Sequence, residues 1–366
     1  MRLLFTLLFV ATLTFYSFAQ KRVLIEKFTS VFCGSCPNAA LVVKDLLEQY
    51  PGSIWVNHHK PTHWMDYYFD NDQSDVLWDA SGTGGTPSGM IDRRSNGNGL
   101  AFYSGAWPNL VAEQSDEPYY VNLSVNDVSY NSVSRRYTFT VSAIFEEVPP
   151  SGDYRLSVIM LEDSVVGGTG FGFDQSSYFN EVEGHPLQGL GNPIDGYKQL
   201  NVARAILDGP WGTAGIIPET PEVGVTYSQE YHYYVPGEYD SRQFKVVALV
   251  AHHNESDVND RQVLNATEAR MSDFGLTITD TDTPVANDSW MKVFPNPASD
   301  WLYLELTQRP EKLELVNLHG QVLRTLRSDD LRQSVPVIDL PSGLYFLKAS
   351  FQNQVLTKKV LLNTSR

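Results

Sequence analysis

Apolar residues near the start of the chain are spaced as in short strands and one helix. Residues 22–28 and 53–58 form short, largely apolar runs, which predict two strands. Between them, apolar residues at helical spacing predict a helix at 38–50. One or two helices are expected within the aromatic and acidic stretch 61–80, and a terminal helix at 103–114. This order of elements predicts an α/β head.

The apolar period changes to two beyond residue 117. Five further strands are expected from this alternation or from short apolar runs: 121–125, 137–145, 154–160, 229–235 and 244–251. Short alternating strands between turn residues predict an immunoglobulin-like β-sandwich. The insert 164–228 interrupts it, is rich in Gly, Pro and Asn, and is too long for an ordinary connection. We expect a recognition surface or a small subdomain there, with 201–207 as either a helical turn or a strand.

The two ends of the chain carry signals of export and of modular organisation. Residues 1–19 hold one basic residue followed by an apolar run, with small residues at Ser17 and Ala19. This pattern predicts a secretory signal peptide cleaved after Ala19. Residues 273–289 are dense in Asp, Thr, Pro and Asn and predict a linker. The expected units are therefore a head at 20–115, a sandwich at 116–272 and a C-terminal unit at 290–366.

The net charge of the chain argues against anionic partners. The formal net charge is −16 at pH 7. An acidic chain of this kind repels nucleic acid and anionic membrane surfaces, so neither is an expected partner. No later segment is long and apolar enough to cross a bilayer, so we expect no transmembrane anchor once the signal peptide is removed.

The strongest candidate for chemistry is the pair Cys33 and Cys36, the only two cysteines of the chain. Cys33 is expected at a strand-to-helix junction, and Pro37 suits the first turn of that helix. A cysteine facing the positive end of a helix dipole favours the nucleophilic thiolate. Three interpretations stay open: a redox-active pair, a permanently oxidised structural clip, and two ligands of a metal site.

The order of motifs in the head resembles the thioredoxin fold. It comprises a strand, a Cys-x-x-Cys-Pro motif, a helix, a second strand and then Thr86-Pro87 opening a later strand. The resemblance implies that the Thr86–Pro87 bond is cis and that its backbone faces extended substrate peptides. It also implies a buried acid six residues before the first cysteine. Lys27 occupies that position here, which makes the neighbouring Glu26 an alternative candidate.

Histidines close the second predicted strand and add candidates for proton transfer. His58 and His59 should point to opposite faces of the strand, which makes them a poor chelate together with His63 and Asp66. We expect His58 either to accept protons near the cysteine pair or to line a solvated loop. No metal ion is expected, and no cofactor beyond the redox-active disulfide of Cys33 and Cys36.

The C-terminal motifs resemble the sorting domain of the type IX secretion system. They are Phe-Pro-Asn-Pro at 294–297, Gly-Gln-Val-Leu at 320–323, Pro-Ser-Gly-Leu-Tyr at 341–345 and Thr-Lys-Lys-Val at 357–360. The resemblance implies handling by the type IX machinery and delivery to the outer membrane, the cell surface or the medium. The alternative is that the C-terminal unit is a further β-sandwich domain used for adhesion.

Taken together, the signal peptide, the head and the sandwich resemble the Omp-twenty-eight-related outer-membrane family. This resemblance covers residues 20–270. It rests on Glu26, Phe28 and Thr29 before the cysteines, on His58, and on the stretches 85–89 and 201–204. Two functional hypotheses follow. In the first, the thiolate of Cys33 attacks a disulfide of a protein or peptide, and Cys36 resolves the mixed disulfide. In the second, the chain is a non-catalytic surface binding or adhesion protein whose head serves as a scaffold.

Overall fold

A computed structural model describes residues 21–60, 69, 71–132, 134–166, 173–237, 239–275, 291–306, 309–317, 321–328, 330–351 and 354–363. The expected signal peptide and most of the expected linker, together with His63 and Asp66, lie outside these residues. Within the described ranges, no helix has both the length and the apolar character that crossing a membrane requires.

Three α-helices and eighteen strands are assigned within those ranges. The helices are α1 Cys36–Gln49, α2 Asp72–Ser81 and α3 Trp107–Ser115. The strands up to the end of the middle region are β1 Leu24–Thr29, β2 Ile54–His59, β3 Ser88–Ile91, β4 Ala101–Tyr103, β5 Val121–Asn131, β6 Arg136–Phe145, β7 Asp153–Glu162, β8 Val202–Leu207, β9 Thr226–Tyr234, β10 Phe244–His253 and β11 Val263–Arg270. The C-terminal strands are β12 Met291–Phe294, β13 Trp301–Leu306, β14 Lys312–Asn317, β15 Val322–Leu326, β16 Arg332–Pro336, β17 Gly343–Phe351 and β18 Gln354–Leu362.

The head has the expected thioredoxin-like arrangement, with strand order β2-β1-β3-β4. β1 is parallel to β2 and antiparallel to β3, and β4 is antiparallel to β3. Helices α1 and α3 share a core with one face of β1, whereas α2 packs against the opposite face. The expected helix at 103–114 is shorter than predicted, because Tyr103 ends β4 and the helix begins at Trp107. A three-residue strand is too short to show a period.

Helix α1 forms where the sequence predicts it. Its start carries a proline in the first turn, where a missing backbone N–H costs nothing. The helix then buries Ala39, Ala40, Val43 and Leu46 against the sheet, at the spacing of one helical face. The cysteine pair is thereby held at the helix N-terminus.

The middle region is a sandwich whose inner strands are buried on both faces. The sheet β5-β6-β9 packs against β7 and β10 around one core. Alternate residues of β10 serve two cores: Val246 and Ala248 face the sandwich, while Val247 and Leu249 face the core shared with the head. Burial on both sides explains why this strand is a continuous apolar run without the usual alternation.

One sheet runs through both the head and the middle region. Its order is β11-β10-β7-β8-β2-β1-β3-β4, eight strands in all. The link is β8, which lies inside the insert 164–228, pairs antiparallel with β7, and pairs parallel with β2 at Asn57 and Val202. The segment 201–207 is therefore a strand. The division of the chain at residue 115 remains a prediction.

The C-terminal unit is a small β-sandwich, as expected. One sheet has the order β12-β13-β16 and the other the order β15-β14-β17-β18. Apolar residues of both sheets, including Leu302, Leu315 and Leu347, share one core. The fold class predicted from the sequence, an α/β head followed by two all-β units, is confirmed.

Candidate active site

Cys33 and Cys36 form a disulfide at the N-terminus of α1. Cys33 is half-buried and Cys36 is buried, so a substrate can reach the first sulfur more readily than the second. The Cys36 N–H donates to the Cys33 carbonyl at 3.1 Å, which closes a tight turn ahead of the helix. The half-buried Cys33 therefore lies at the positive end of the helix dipole.

The Thr86–Pro87 peptide bond is cis, as the resemblance implies. Strand β3 starts at Ser88, which pairs with Phe28 near the end of β1. Because the two strands are antiparallel, Pro87 lies at the same end of the sheet as the loop that leads to Cys33. The structure therefore brings Cys33, Cys36 and Pro87 to one edge, although the role of Pro87 in binding substrate remains a prediction.

Glu26 and His58 lie together in a buried cluster on the α2 face of the sheet. His58 Nε2 is 3.2 Å from Glu26 Oε1, and its Nδ1 is 2.7 Å from the hydroxyl of Ser74 on α2. Arg93 donates to both carboxylate oxygens of Glu26, at 2.7 and 2.8 Å. Burial acts to raise the pKa of Glu26, but the charge and hydrogen bonds of Arg93 outweigh it and lower the pKa to about 2.

This cluster lies on the face of the sheet opposite to the face that packs against α1. Its side chains bond to one another and to Arg93, and no described contact joins them to the disulfide. Roles for Glu26 and His58 in thiol chemistry remain predictions. No local pattern predicts Arg93 as a partner of Glu26, because the two residues are far apart along the chain.

The order Ser74, His58, Glu26 also matches the order of groups in a hydrolase triad. All three side chains are buried, however, and Glu26 is neutralised by the bidentate Arg93. A nucleophile needs access to substrate, which these groups lack. The cluster is best explained as a hydrogen-bonded ion pair that ties α2 to β1 and β2.

Lys27 is buried on the opposite face of β1, on the side of α1. Its ammonium group donates to Asn57 Oδ1 at 3.2 Å, and the same oxygen accepts from Trp55 Nε1 at 3.1 Å. Burial lowers the pKa of Lys27 to about 7. Burial thus disfavours the charged form of this side chain, at the position where related folds carry an acid.

Part of the insert lies directly on the loop that carries the cysteines. We call residues 173–185 the strap. The Ser176 N–H donates to the Val31 carbonyl at 2.8 Å, and the Tyr178 N–H donates to the Gly34 carbonyl at 2.9 Å. A recognition surface or a subdomain is expected in the insert, but its contact with the cysteine loop is not, because no local pattern encodes such a long-range pairing.

The described residues hold no group of three or more His, Cys, Asp or Glu side chains arranged to bind a metal ion. A disulfide at a helix N-terminus can take part in thiol–disulfide exchange between sulfur atoms.

Comparison with known proteins concerns mainly the fold and the C-terminal unit. No curated protein matches the chain. The solved structure of HBP35 of Porphyromonas gingivalis is similar over 94% of this chain and 99% of its own, with a TM-score of 0.53 and 18% identity. A domain of the outer membrane lipoprotein Omp28 from Porphyromonas gingivalis matches over 42% of this chain and 91% of its own, with a TM-score of 0.24 and 16% identity. The likeness to HBP35 is a likeness of fold.

The motifs at the C-terminus are explained by a family match. Residues 292–363 match the secretion system C-terminal sorting domain. Such a domain marks its protein for export to the outer membrane, the cell surface or the medium. The expectation of a type IX sorting unit is confirmed. The C-terminal unit of this chain, residues 292–363, belongs to the secretion system C-terminal sorting domain family.

Proposed function

We propose that this exported protein catalyses thiol–disulfide exchange with protein or peptide substrates at the cell surface. The observation that carries the proposal is the half-buried Cys33, bonded to the buried Cys36 at the N-terminus of α1. The Thr86–Pro87 segment, which lies at the same edge of the sheet, supports it. The sorting domain supports delivery by the type IX machinery.

The exchange balances in two steps. A substrate thiolate attacks Cys33 Sγ, the Cys33–Cys36 bond breaks, and Cys36 leaves as a thiolate. A second substrate thiolate then attacks the substrate sulfur of the mixed disulfide and releases Cys33 as a thiolate. The substrate gains a disulfide and loses two electrons, which the cysteine pair accepts. The reverse sequence reduces a substrate disulfide, with Cys33 as nucleophile and Cys36 as the resolving thiol.

The local structure supports these roles for the two sulfurs. The helix N-terminus lowers the free energy of a thiolate on Cys33, which makes it both a better leaving group and a populated nucleophile at neutral pH. Cys36 is only 1% exposed, so it reaches a sulfur already bound to Cys33 but no free substrate. Attack by substrate is thereby directed to one sulfur.

Variants of the two cysteines test the proposal. In a glutathione buffer, the full chain should exchange disulfides with a cysteine-containing peptide, and Cys33→Ser should abolish this activity. Cys36→Ser should instead accumulate a mixed disulfide with the peptide, visible as an added mass that a reductant removes. A wild-type protein that is inert, with Cys33 unreactive toward an alkylating agent after reduction, would refute the proposal.

A second candidate is a surface binding protein whose disulfide is a structural clip. The buried Lys27 favours it, because a cation replaces the acid that moves protons in the related fold. If this second candidate is correct, a Cys33→Ser, Cys36→Ser double variant should still bind its surface partner. Loss of that binding in a folded double variant would count against it.

A further inference from the structure

The strap holds an exposed aromatic ring beside the cysteine pair. The backbone of Tyr178 is hydrogen-bonded to the loop 30–34, and Tyr178 is 71% exposed. We propose that Tyr178 is a specificity-determining residue, which binds an apolar or aromatic side chain next to the reacting cysteine of a peptide. The inference rests on the proposed function and names the class of substrate: extended chains with an apolar residue beside the cysteine.

Backbone hydrogen bonds hold the ring in place. Tyr178 N–H donates to Gly34 O, and Gly34 lies between the two cysteines. A Cβ at Gly34 would lie 2.7 Å from Cγ of Tyr178, so the ring occupies the space that any larger residue would need. One side of the ring thus lies against the backbone at Gly34, while the Tyr178 residue remains 71% exposed.

Gln175 anchors the strap on the inner side of the loop. Its side-chain amide nitrogen lies 3.1 Å from the carbonyl oxygens of Val31 and Cys33. Its amide oxygen accepts from Gln199 Nε2 at 2.9 Å, and the residue is 1% exposed. A buried amide with such partners fixes the start of the strap relative to Cys33.

The far end of the strap is fixed on the first turn of α1. His185 Nε2 lies 3.0 Å from Asn38 Oδ1, and the His185 ring stacks on Phe179 with centroids 4.3 Å apart. Tyr178 is therefore supported on both sides along the chain. Binding to a ring that is already held costs little conformational entropy, which is why rigid exposed aromatics make effective contact residues.

The Thr86–Pro87 edge, at the same end of the sheet as the cysteine loop, offers the path for the substrate chain. The Thr86–Pro87 edge follows Gly85, and Tyr103 of β4 is 65% exposed, with its hydroxyl 4.0 Å from the site of a Cβ on Gly85. A peptide along this edge, with its sulfur at Cys33, passes beside Tyr178. Burial of an apolar side chain on the ring then adds affinity that a polar side chain would not.

Two peptides that differ in one residue test the inference. Each contains a single cysteine, flanked by Phe in one and by Ser in the other, and each reacts with the oxidised full chain. The wild type should prefer the Phe peptide. Tyr178→Ala should lower kcat/KM for the Phe peptide by about tenfold, mainly by raising KM. The Ser peptide should react at an unchanged rate, and Tyr178→Phe should retain the preference.

Controls separate binding from redox tuning and from failure of the proposed function. Tyr234→Ala removes a tyrosine of similar exposure, 60%, from β9 in the sandwich and should change nothing. The reduction potential in glutathione buffers should be the same in wild type and Tyr178→Ala. Equal rates for both peptides in an active wild type, or an equal loss for both in Tyr178→Ala, would overturn the inference alone. A wild type inert toward both peptides would overturn it together with the proposed function.

Discussion

Replacing Lys27 by Met should stabilise the protein, and more so at low pH than at high pH. Lys27 is 2% exposed and its nearest hydrogen-bond acceptor is the neutral amide oxygen of Asn57. Met has similar length and no charge to bury. Asn57 keeps a donor in the variant, because Trp55 Nε1 also bonds to its side-chain oxygen. The substitution therefore removes a buried cation without leaving a buried acceptor unpaired.

The size and sign of the effect follow from the pKa. In the unfolded chain the Lys27 pKa has its ordinary value of 10.5, and burial lowers it to about 7 in the folded protein. The folded state thus binds fewer protons than the unfolded state between these two values, so the Lys27 contribution to stability rises with pH there. Below about pH 7 the penalty is constant. From pH 6 to pH 9 the free energy of unfolding should gain about 3 kcal/mol from this group, on the order of 1.4 kcal/mol for each pH unit within the window.

Urea unfolding of the full chain at pH 6, 7, 8 and 9 measures this contribution as a difference between wild type and Lys27→Met. The advantage of the variant should shrink by about 3 kcal/mol as pH rises from 6 to 9. Lys44→Met removes an exposed lysine of α1 and should give the same pH dependence as the wild type. Parallel curves for wild type and Lys27→Met would show that Lys27 is not desolvated in the folded protein.

Two further predictions concern the buried ion pair and the sorting domain. Arg93→Met should destabilise the head by about 3–5 kcal/mol, because it leaves the carboxylate of Glu26 buried without its main partner. Urea unfolding checks this, and Glu26→Gln in the same background should restore part of the loss; an unchanged midpoint would contradict it. Deleting residues 290–366 should leave the protein in the periplasm, with surface protease accessibility as the measurement. Unchanged delivery to the surface would contradict a sorting role for this domain.

Local patterns predicted much of the head. The strands β1 and β2, the helix α1 and the cis bond before Pro87 agree with expectation. The strands and the helix depend on residues close together in sequence, which form an apolar run or a helical face. The cis bond was instead implied by the resemblance to the thioredoxin fold. The short β4 was missed because three residues carry no period.

Contacts between distant segments could not be predicted in the same way. The strap reaches the loop at Cys33 from more than a hundred residues away, and Arg93 reaches Glu26 across the sheet. Such pairings depend on which strands become neighbours, and one sequence carries little information about that choice. The hydrogen bond from Lys27 to Asn57 was not predicted either, because it joins two neighbouring strands.

The strand β8 has a consequence for how this protein can be altered through recombination. It lies within the insert yet borders β2 of the head and β7 of the sandwich, so three parts of the gene contribute to one sheet. A crossover at residue 115 would separate β2 from its neighbour β8 and expose the core that Leu24 and Val56 share with Val247. The first 115 residues are therefore unsuitable as a segment to exchange between proteins. A unit that keeps this sheet whole must extend to the end of β11.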